Sequence, residues 1–265
     1  MDPGRRTTVL ALAAWLAGCG GGGGSSDGST PAATFAGSLQ TRSLASQSNG
    51  STYPLYIYLP PDDGTPRSAL PVVYLLDGES RFQTTVDLVE ASRSRVILVG
   101  IGNEANRAHD YVPLNLCTSN GGGEGAFLDF IRLELIPYVA ATVGGHPARR
   151  ALLGHSHGGS FVLYALFAEA PGIHSFSAYL ASDASIGCMT ATVYDWDAAY
   201  ASRFPALPVR LHVSYSANVA NGPFVDQVAS RQYIGLTMAS GLYGGGHIGM
   251  IPAAFADAIR FAFAA

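Results

Sequence analysis

A serine between glycines stands near the middle of the sequence and could act as a nucleophile. Residues 154–159 read Gly-His-Ser-His-Gly-Gly, so Ser156 satisfies the pattern G-x-S-x-G. A serine hydroxyl is a weak nucleophile by itself, and with a neighbouring base it performs acyl transfer on esters. The pattern alone decides little, because Gly24-Ser25-Ser26-Asp27-Gly28 satisfies it as well.

The surroundings of Ser156 distinguish it from Ser25. Residues 149–153 predict a short strand, and residues 157–169 predict a helix that starts directly after Ser156. A nucleophile in a sharp strand-to-helix turn needs nearby glycines, and the free N–H groups of the helix start then lie at the reacting oxygen. A serine that merely caps the helix would leave the two glycines of the pattern unexplained. We therefore predict that Ser156 is the nucleophile.

The base that Ser156 requires is predicted to be His247. It stands in Gly-Gly-Gly-His-Ile-Gly at residues 244–249, just before the last predicted helix. Serine hydrolases whose nucleophile lies in a strand-to-helix turn have their catalytic histidine late in the chain. His212 alternates within a predicted strand, and His155 and His157 flank the nucleophile without an easy path to its hydroxyl. The alternative for His247 is a surface histidine on a glycine loop.

Two backbone donors are needed to hold the oxyanion of an acyl-transfer intermediate. The N–H of His157, directly after the nucleophile, should be one of them. The other should come from the turn Leu76-Asp77-Gly78-Glu79, after a predicted strand. We also expect Gly78, Arg107 and His155 near the substrate. Arg107 could bind a carboxylate or phenolate, or it could pair with Asp110.

Strands and helices that would position these residues alternate along the chain. Apolar runs predict strands at 53–60, 70–76, 95–101, 149–153, 175–180 and 209–215. Helical spacing predicts helices at 82–91, 124–143, 157–169, 224–238 and 252–263. This alternation predicts an α/β fold with a mostly parallel central sheet and helices on both faces. Neither a metal-ligand spacing nor a nucleotide-binding loop is present, so no cofactor is expected.

The first 34 residues have the composition of a targeting segment and a tether. Arg5 and Arg6 precede an apolar stretch that ends in Leu16-Ala17-Gly18-Cys19, which is similar to a bacterial lipobox. We predict a lipoprotein signal peptide at 1–18, a Gly/Ser-rich tether at 19–34 and an α/β-hydrolase domain at 35–265. A lipid on Cys19 would anchor the exported protein at the periplasmic face or the outer membrane. The alternative is a signal peptide that happens to contain a cysteine.

Composition and cysteines limit the remaining possibilities. The 265 residues are 48% hydrophobic and 13% charged, with a net charge of −4 and no basic run that would bind nucleic acid. We expect a monomer that binds a small-molecule ester. Cys117 and Cys188 form a disulfide in an oxidising compartment, or they remain two buried thiols.

Four sequence blocks in this order resemble the esterase D/enterobactin-esterase family. They are 73–79, 99–103 with Arg107 and Asp110, 154–159, and Gly246-His247, and the resemblance spans residues 53–263. It implies an α/β-hydrolase fold, Ser156 as nucleophile and His247 as base. It also places the second oxyanion donor at the N–H of Glu79.

The sequence departs from this family where the acid of a catalytic triad is usual. Residues 214–218 read Ser-Tyr-Ser-Ala-Asn, without an acid. Asp226 is the only acidic residue between Asp197 and His247, so it is the candidate acid. It could instead be a helix-start residue. A Ser–His dyad, with a backbone carbonyl or an asparagine holding the imidazole, is the alternative.

Together the residues predict a serine carboxylesterase, and the resemblance implies a siderophore, a short acyl ester or a phenolic ester as its substrate. An acyltransferase with the same site is one alternative. A catalytically silent, ligand-binding lipoprotein is the other.

Overall fold

A mixed sheet of eight strands forms the centre of the protein. The computed structural model describes residues 35–113, 119–216 and 220–264. The strand order is β1-β2-β4-β3-β5-β6-β7-β8. Strands β1 and β2 pair antiparallel, as do β2 and β4, and the other neighbours are parallel. The strands are β1 (Ser38–Ala45), β2 (Thr52–Leu59), β3 (Val72–Leu75), β4 (Ile97–Ile101), β5 (Arg150–His155), β6 (Ala178–Ser182), β7 (Arg210–Tyr215) and β8 (Thr237–Leu242).

Helices cover both faces of this sheet, so the predicted α/β fold is confirmed. One face carries α1 (Gly78–Ala91) and α9 (Ile251–Ala262). The other carries α2 (Arg107–Tyr111), α3 (Glu124–Asp129), α4 (Ile136–Thr142), α5 (His157–Ala168), α6 (Thr190–Ala201) and α7 (Asn221–Ser230). The short α8 (Gly246–Gly249) follows β8. A π-helical segment (Phe130–Leu135) joins α3 to α4, and 3-10 turns occupy Arg67–Ala69 and Ile186–Cys188.

The central strand β3 shows why the apolar runs of this sequence are continuous. Val72 and Tyr74 pack into the core on one face of the sheet. Val73 and Leu75 pack into the core on the other. Alternate side chains of a strand lie on opposite faces, so a strand covered by helices on both sides needs apolar residues at every position.

Two strands at the edges of the sheet were missed by the sequence prediction. β1 and β8 are partly exposed and contain polar residues, so neither forms an apolar run. The predicted helix at 224–238 ends at Ser230 instead. Gln232 and Gly235 have φ values of 53° and 84°, which do not continue a right-handed helix.

The parallel strands bring distant chain segments to one edge of the sheet. β3, β5, β6 and β8 run in the same direction, so the residues after their carboxyl ends lie at that edge. Asp77, Ser156, Asp183 and His247 are the relevant residues there. In the part of the chain that the structure describes, no helix is long and apolar enough to cross a membrane.

Candidate active site

Ser156 occupies a strained turn between β5 and α5. Its φ is 60° and its ψ is −121°, a conformation that side-chain-bearing residues rarely adopt. Gly154 makes the turn possible, because a Cβ there would lie 2.4 Å from the carbonyl oxygen of Gly158. A Cβ on Gly159 would lie 2.8 Å from the carbonyl oxygen of Ser182, at the end of β6. The glycines therefore let the turn pass close to its own helix and to the neighbouring strand.

His247, in α8, is paired with a buried carboxylate. Its Nδ1 lies 2.5 Å from Oδ2 of Asp183, the residue directly after β6. The same carboxylate accepts hydrogen bonds from the backbone N–H of Ser216 at 3.0 Å and from its hydroxyl at 3.2 Å. A carboxylate at Nδ1 places the proton of a neutral imidazole on that nitrogen, so Nε2 is left as the acceptor.

Asp226 was the expected acid, but the carboxylate that contacts His247 in this structure is that of Asp183. Asp226 is exposed on α7, past its first turn. The prediction assumed that the acid follows the strand before the histidine loop. Asp183 instead follows β6, one strand earlier, and Ser216 in the usual slot donates to it. An acid three residues after the predicted strand at 175–180 was the signal that could have revealed Asp183.

Ser156 and His247 line one small cavity. Its volume is about 290 Å³, and its other lining residues are Asp77, Glu79, Ser80, Arg81, Glu104, Arg107 and His155. The hydroxyl of Ser156 pairs with Oγ of Ser185 at 3.2 Å and makes no hydrogen bond to His247. Catalytic hydrogen bonds are often long before substrate binds, so this arrangement is compatible with a Ser–His pair. A larger cavity of about 630 Å³ beside residues 59–67 is lined by no histidine and so offers no such base.

The starts of two helices border this cavity. α1 begins at Gly78 and α5 begins at His157. The backbone N–H groups of Glu79 and His157 are used by none of the hydrogen bonds found among residues 35–113, 119–216 and 220–264. Free N–H groups at helix starts attract negative charge. The two predicted oxyanion donors are thus available beside Ser156.

Arg107 braces one of these helix starts. Its Nε donates to Oδ1 of Asp77 at 2.7 Å, and its second nitrogen donates to the other carboxylate oxygen and to the carbonyl of His155, both at 3.3 Å. The carboxylate of Asp110 binds His109 instead, so the alternative that Arg107 pairs with Asp110 is wrong. Burial raises the pKa of Asp77, and the guanidinium opposes that rise. Arg107 therefore fixes the turn before α1.

The remaining turn residues also serve the position of α1. Gly78 does not line the cavity, and a Cβ on it would lie 2.9 Å from the backbone of Gly100 in β4. The side chain of Glu79 accepts hydrogen bonds from the N–H groups of Asn103 and Glu104 at 3.0 and 3.1 Å. These contacts hold the helix start, and with it the N–H of Glu79, against the end of β4.

His155 forms a buried wall of the cavity. Its Nδ1 lies 3.2 Å from Oγ of Ser182, and its ring packs against the ring of His247, with 4.4 Å between the centroids. Its Nε2 is buried without a hydrogen-bond partner. Burial, and to a lesser extent the neighbouring His247, lower its pKa to about 3. His155 thus stays neutral and gives the base a flat packing surface.

Replacing His155 should reduce the loss of folding stability that occurs as the pH falls below 6.5. The pKa of His155 is about 3 in the folded protein against 6.5 in an unfolded chain. Between these values the unfolded chain binds the extra proton, so the free energy of unfolding falls as the pH drops. The loss should reach about 2–3 kcal/mol by pH 4.5. Calorimetry should therefore show a smaller decrease in Tm from pH 6.5 to 4.5 for His155→Gln than for wild type. Parallel curves would contradict this role.

Other predicted sites lie partly or wholly outside the described residues. The sulfur of Cys188 is disulfide-bonded. Cys117 and the predicted lipidation site Cys19 are both outside the described ranges, as are the predicted signal peptide and tether. Among the residues that are described, no three His, Cys, Asp or Glu side chains are grouped to hold a metal ion.

Comparison with known proteins shows sequence similarity to siderophore esterases. A siderophore triacetylfusarinine C esterase of Aspergillus fumigatus is 36% identical over 141 residues, which are 47% of this chain and 47% of that protein. The ferri-bacillibactin esterase BesA of Bacillus subtilis is 28% identical over 173 residues, 56% of this chain and 58% of that protein. The chain thus spans about half the length of the curated relatives it matches.

A solved structure extends the similarity over most of the domain. The IroE-like serine hydrolase from Shewanella oneidensis has a TM-score of 0.76 and 27% identity, over 84% of this chain and 79% of that one. Residues 46–215 match the model of the Esterase family, which is more than half of the chain. The resemblance seen in the four sequence blocks is confirmed: this chain belongs to the Esterase family.

Proposed function

We propose that this protein is a serine carboxylic-ester hydrolase. The observation that carries the proposal is the meeting of three parts at one cavity. These are Ser156 in a strained strand-to-helix turn, the imidazole of His247 paired with Asp183, and the free N–H groups of two helix starts. A nucleophile, an oriented base and oxyanion donors together are the requirements of acyl transfer.

The proposed reaction proceeds through an acyl-enzyme. Nε2 of His247 takes the proton of Ser156 as its oxygen attacks the ester carbonyl, and Asp183 stabilises the imidazolium that forms. The N–H groups of His157 and Glu79 hold the negative oxygen of the tetrahedral intermediate. His247 then gives the proton to the leaving alcohol. In the second half of the reaction it activates a water molecule that releases the acid.

We propose a siderophore, or a small acyl or phenolic ester, as the substrate. The names of the relatives support the first of these. The cavity supports a polar substrate, because its lining residues are mostly charged or polar. Arg81 lines the cavity and takes part in none of the ion pairs found in the described ranges, and its buried Nε has no hydrogen-bond partner. Arg107, in contrast, is occupied by Asp77. Arg81 is therefore the better candidate to bind an anionic group on the substrate.

A panel of esters measured on wild type and Arg81→Gln tests both the activity and this preference. The panel contains p-nitrophenyl acetate, a longer acyl ester, a feruloyl ester, a carboxylate-bearing ester and a ferric-siderophore triester. Loss of the charged contact should lower kcat/KM for the carboxylate-bearing ester about tenfold. The neutral acetate is the internal control and should change less than about twofold. Equal losses on both esters would refute the role of Arg81, and no hydrolysis of any ester by wild type would refute the proposed function.

We further propose that the protein is exported and carries a lipid on Cys19. The order of the N-terminal residues supports this proposal, with Arg5 and Arg6 first, then the apolar stretch and then Leu16-Ala17-Gly18-Cys19. The Gly/Ser-rich composition of residues 19–34 supports a role as a tether between the membrane surface and the catalytic domain.

A further inference from the structure

A second hydrogen-bonded chain leaves the nucleophile, and the proposed reaction does not use it. Oγ of Ser156 lies 3.2 Å from Oγ of Ser185. Oγ of Ser185 lies 3.0 Å from Nδ1 of His157. The imidazole next to the nucleophile, which the sequence placed out of reach of the Ser156 hydroxyl, therefore reaches it through one intervening hydroxyl.

The backbone around Ser185 is fixed against the nucleophile turn. The N–H of Ser185 donates to the carbonyl of Ser156 at 3.3 Å, and the N–H of Ser156 donates to the carbonyl of Ser182 at 2.9 Å. The buried amide of Asn221 donates to the carbonyl of Ala184 at 3.0 Å. These bonds hold the loop after β6 from three sides, so the hydroxyl of Ser185 has a defined position beside Ser156.

The charge state of His157 suits a neutral hydrogen-bonded chain. Burial lowers its pKa, and the positive charge of Arg107 lowers it further. A neutral imidazole with its proton on Nδ1 can donate to Oγ of Ser185, whose own proton then points to Oγ of Ser156. The proton of Ser156 is left for His247. As that proton departs, a hydroxyl donor to the developing negative oxygen becomes a stronger hydrogen-bond partner.

We propose that Ser185 is a further catalytic residue of this site and that the imidazole of His157 is its positioning group. Oγ of Ser185 contacts the reacting oxygen and fixes the position of the Ser156 hydroxyl. The loop after β6 then has two duties, since Asp183 orients the base and Ser185 orients the nucleophile two residues later. This inference rests on the proposed serine-hydrolase function.

The test compares four single variants and one double variant of the whole chain. The double variant combines Ser185→Ala with His157→Ala. Ser185→Ala removes the hydroxyl, and Ser185→Thr keeps it. His157→Ala removes the imidazole, His157→Asn restores a donor near the position of Nδ1, and both keep the backbone N–H of the oxyanion site. The measurements are the rate of inactivation by a fluorophosphonate, kcat and KM on p-nitrophenyl acetate, and Tm as the control for folding.

Ser185→Ala should slow inactivation and lower kcat about tenfold, with KM changed less than about twofold. Ser185→Thr should recover to within about threefold of wild type. His157→Ala should lose about threefold in rate, His157→Asn should recover most of it, and the double variant should be no slower than Ser185→Ala alone, because the residues act in one chain. If Ser185→Ala proves unstable, the His157 variants decide, because a His157→Ala protein with the wild-type rate would overturn the inference.

Two patterns would overturn the inference. One is a stable Ser185→Ala protein that is inactivated within about twofold of the wild-type rate. The other is a double variant whose loss equals the product of the single losses, which would mean that the two side chains act independently. Failure of the proposed function looks different, since wild type and Ser156→Ala would then both resist the fluorophosphonate.

Discussion

Replacing Ser156 with alanine should lower kcat/KM on p-nitrophenyl acetate by about 10⁴-fold or more. It should also abolish covalent labelling by a fluorophosphonate. The oxygen that attacks is then gone, whereas the donors of the oxyanion site remain. Oγ of Ser185 lies 3.2 Å away, but it is outside the strained turn from which α5 begins. A second hydroxyl close by therefore does not replace the nucleophile.

The sequence provides a matched control for this variant. Ser25 satisfies the same glycine–serine pattern, but it is in the predicted tether, outside the described residues. Ser25→Ala should keep wild-type turnover and labelling. Mass mapping of the labelled protein should place the adduct on Ser156. An adduct that persists in Ser156→Ala would contradict the assignment, and an unchanged turnover in that variant would contradict serine catalysis altogether.

The candidate nucleophile and the candidate base could be selected from the sequence because their signals are local. The turn at Ser156 requires glycines within a few residues, and a Cβ on Gly154 would collide with the carbonyl oxygen of Gly158. The base follows the last strand, so its late position and its glycine loop were enough to select His247. The buried strands could also be predicted, because a strand covered on both faces has apolar residues at every position.

The carboxylate that pairs with His247 could not be chosen from sequence spacing, because this pairing is set by the lateral order of the strands. Asp183 is 64 residues from His247, and the ends of β6 and β8 are separated by β7. The backbone N–H of Asp183 donates to the carbonyl of Ser214 at 2.6 Å, and Ser216 donates to its carboxylate. The end of β7 thus supports an acid that belongs to the neighbouring strand. The edge strand β8 was missed because a partly exposed strand needs no continuous apolar run.

Removing the carboxylate of Asp183 should lower kcat about 10³–10⁴-fold, the effect expected when the base loses its orienting acid. Asp183→Asn is the better variant, because its amide oxygen can still accept the N–H of Ser216. Asp183→Ala would also leave that buried donor without a partner, at a cost of about 1–3 kcal/mol in the free energy of unfolding. Measuring Tm beside kcat separates this loss of stability from the loss of catalysis. KM should change little, because the carboxylate lies behind the imidazole and does not line the cavity.

Asp226→Asn is the matched control, since it makes the same chemical change on an exposed helix position. Its kcat should stay within about twofold of wild type. A loss of less than about tenfold in Asp183→Asn would show that the enzyme operates as a Ser–His dyad. The 2.5 Å contact would then hold the histidine loop in place without assisting the proton transfer. A large loss in Asp226→Asn and none in Asp183→Asn would instead mean that the loops rearrange when substrate binds. The two variants therefore discriminate between a triad with its acid after β6, a dyad, and a triad with its acid on α7.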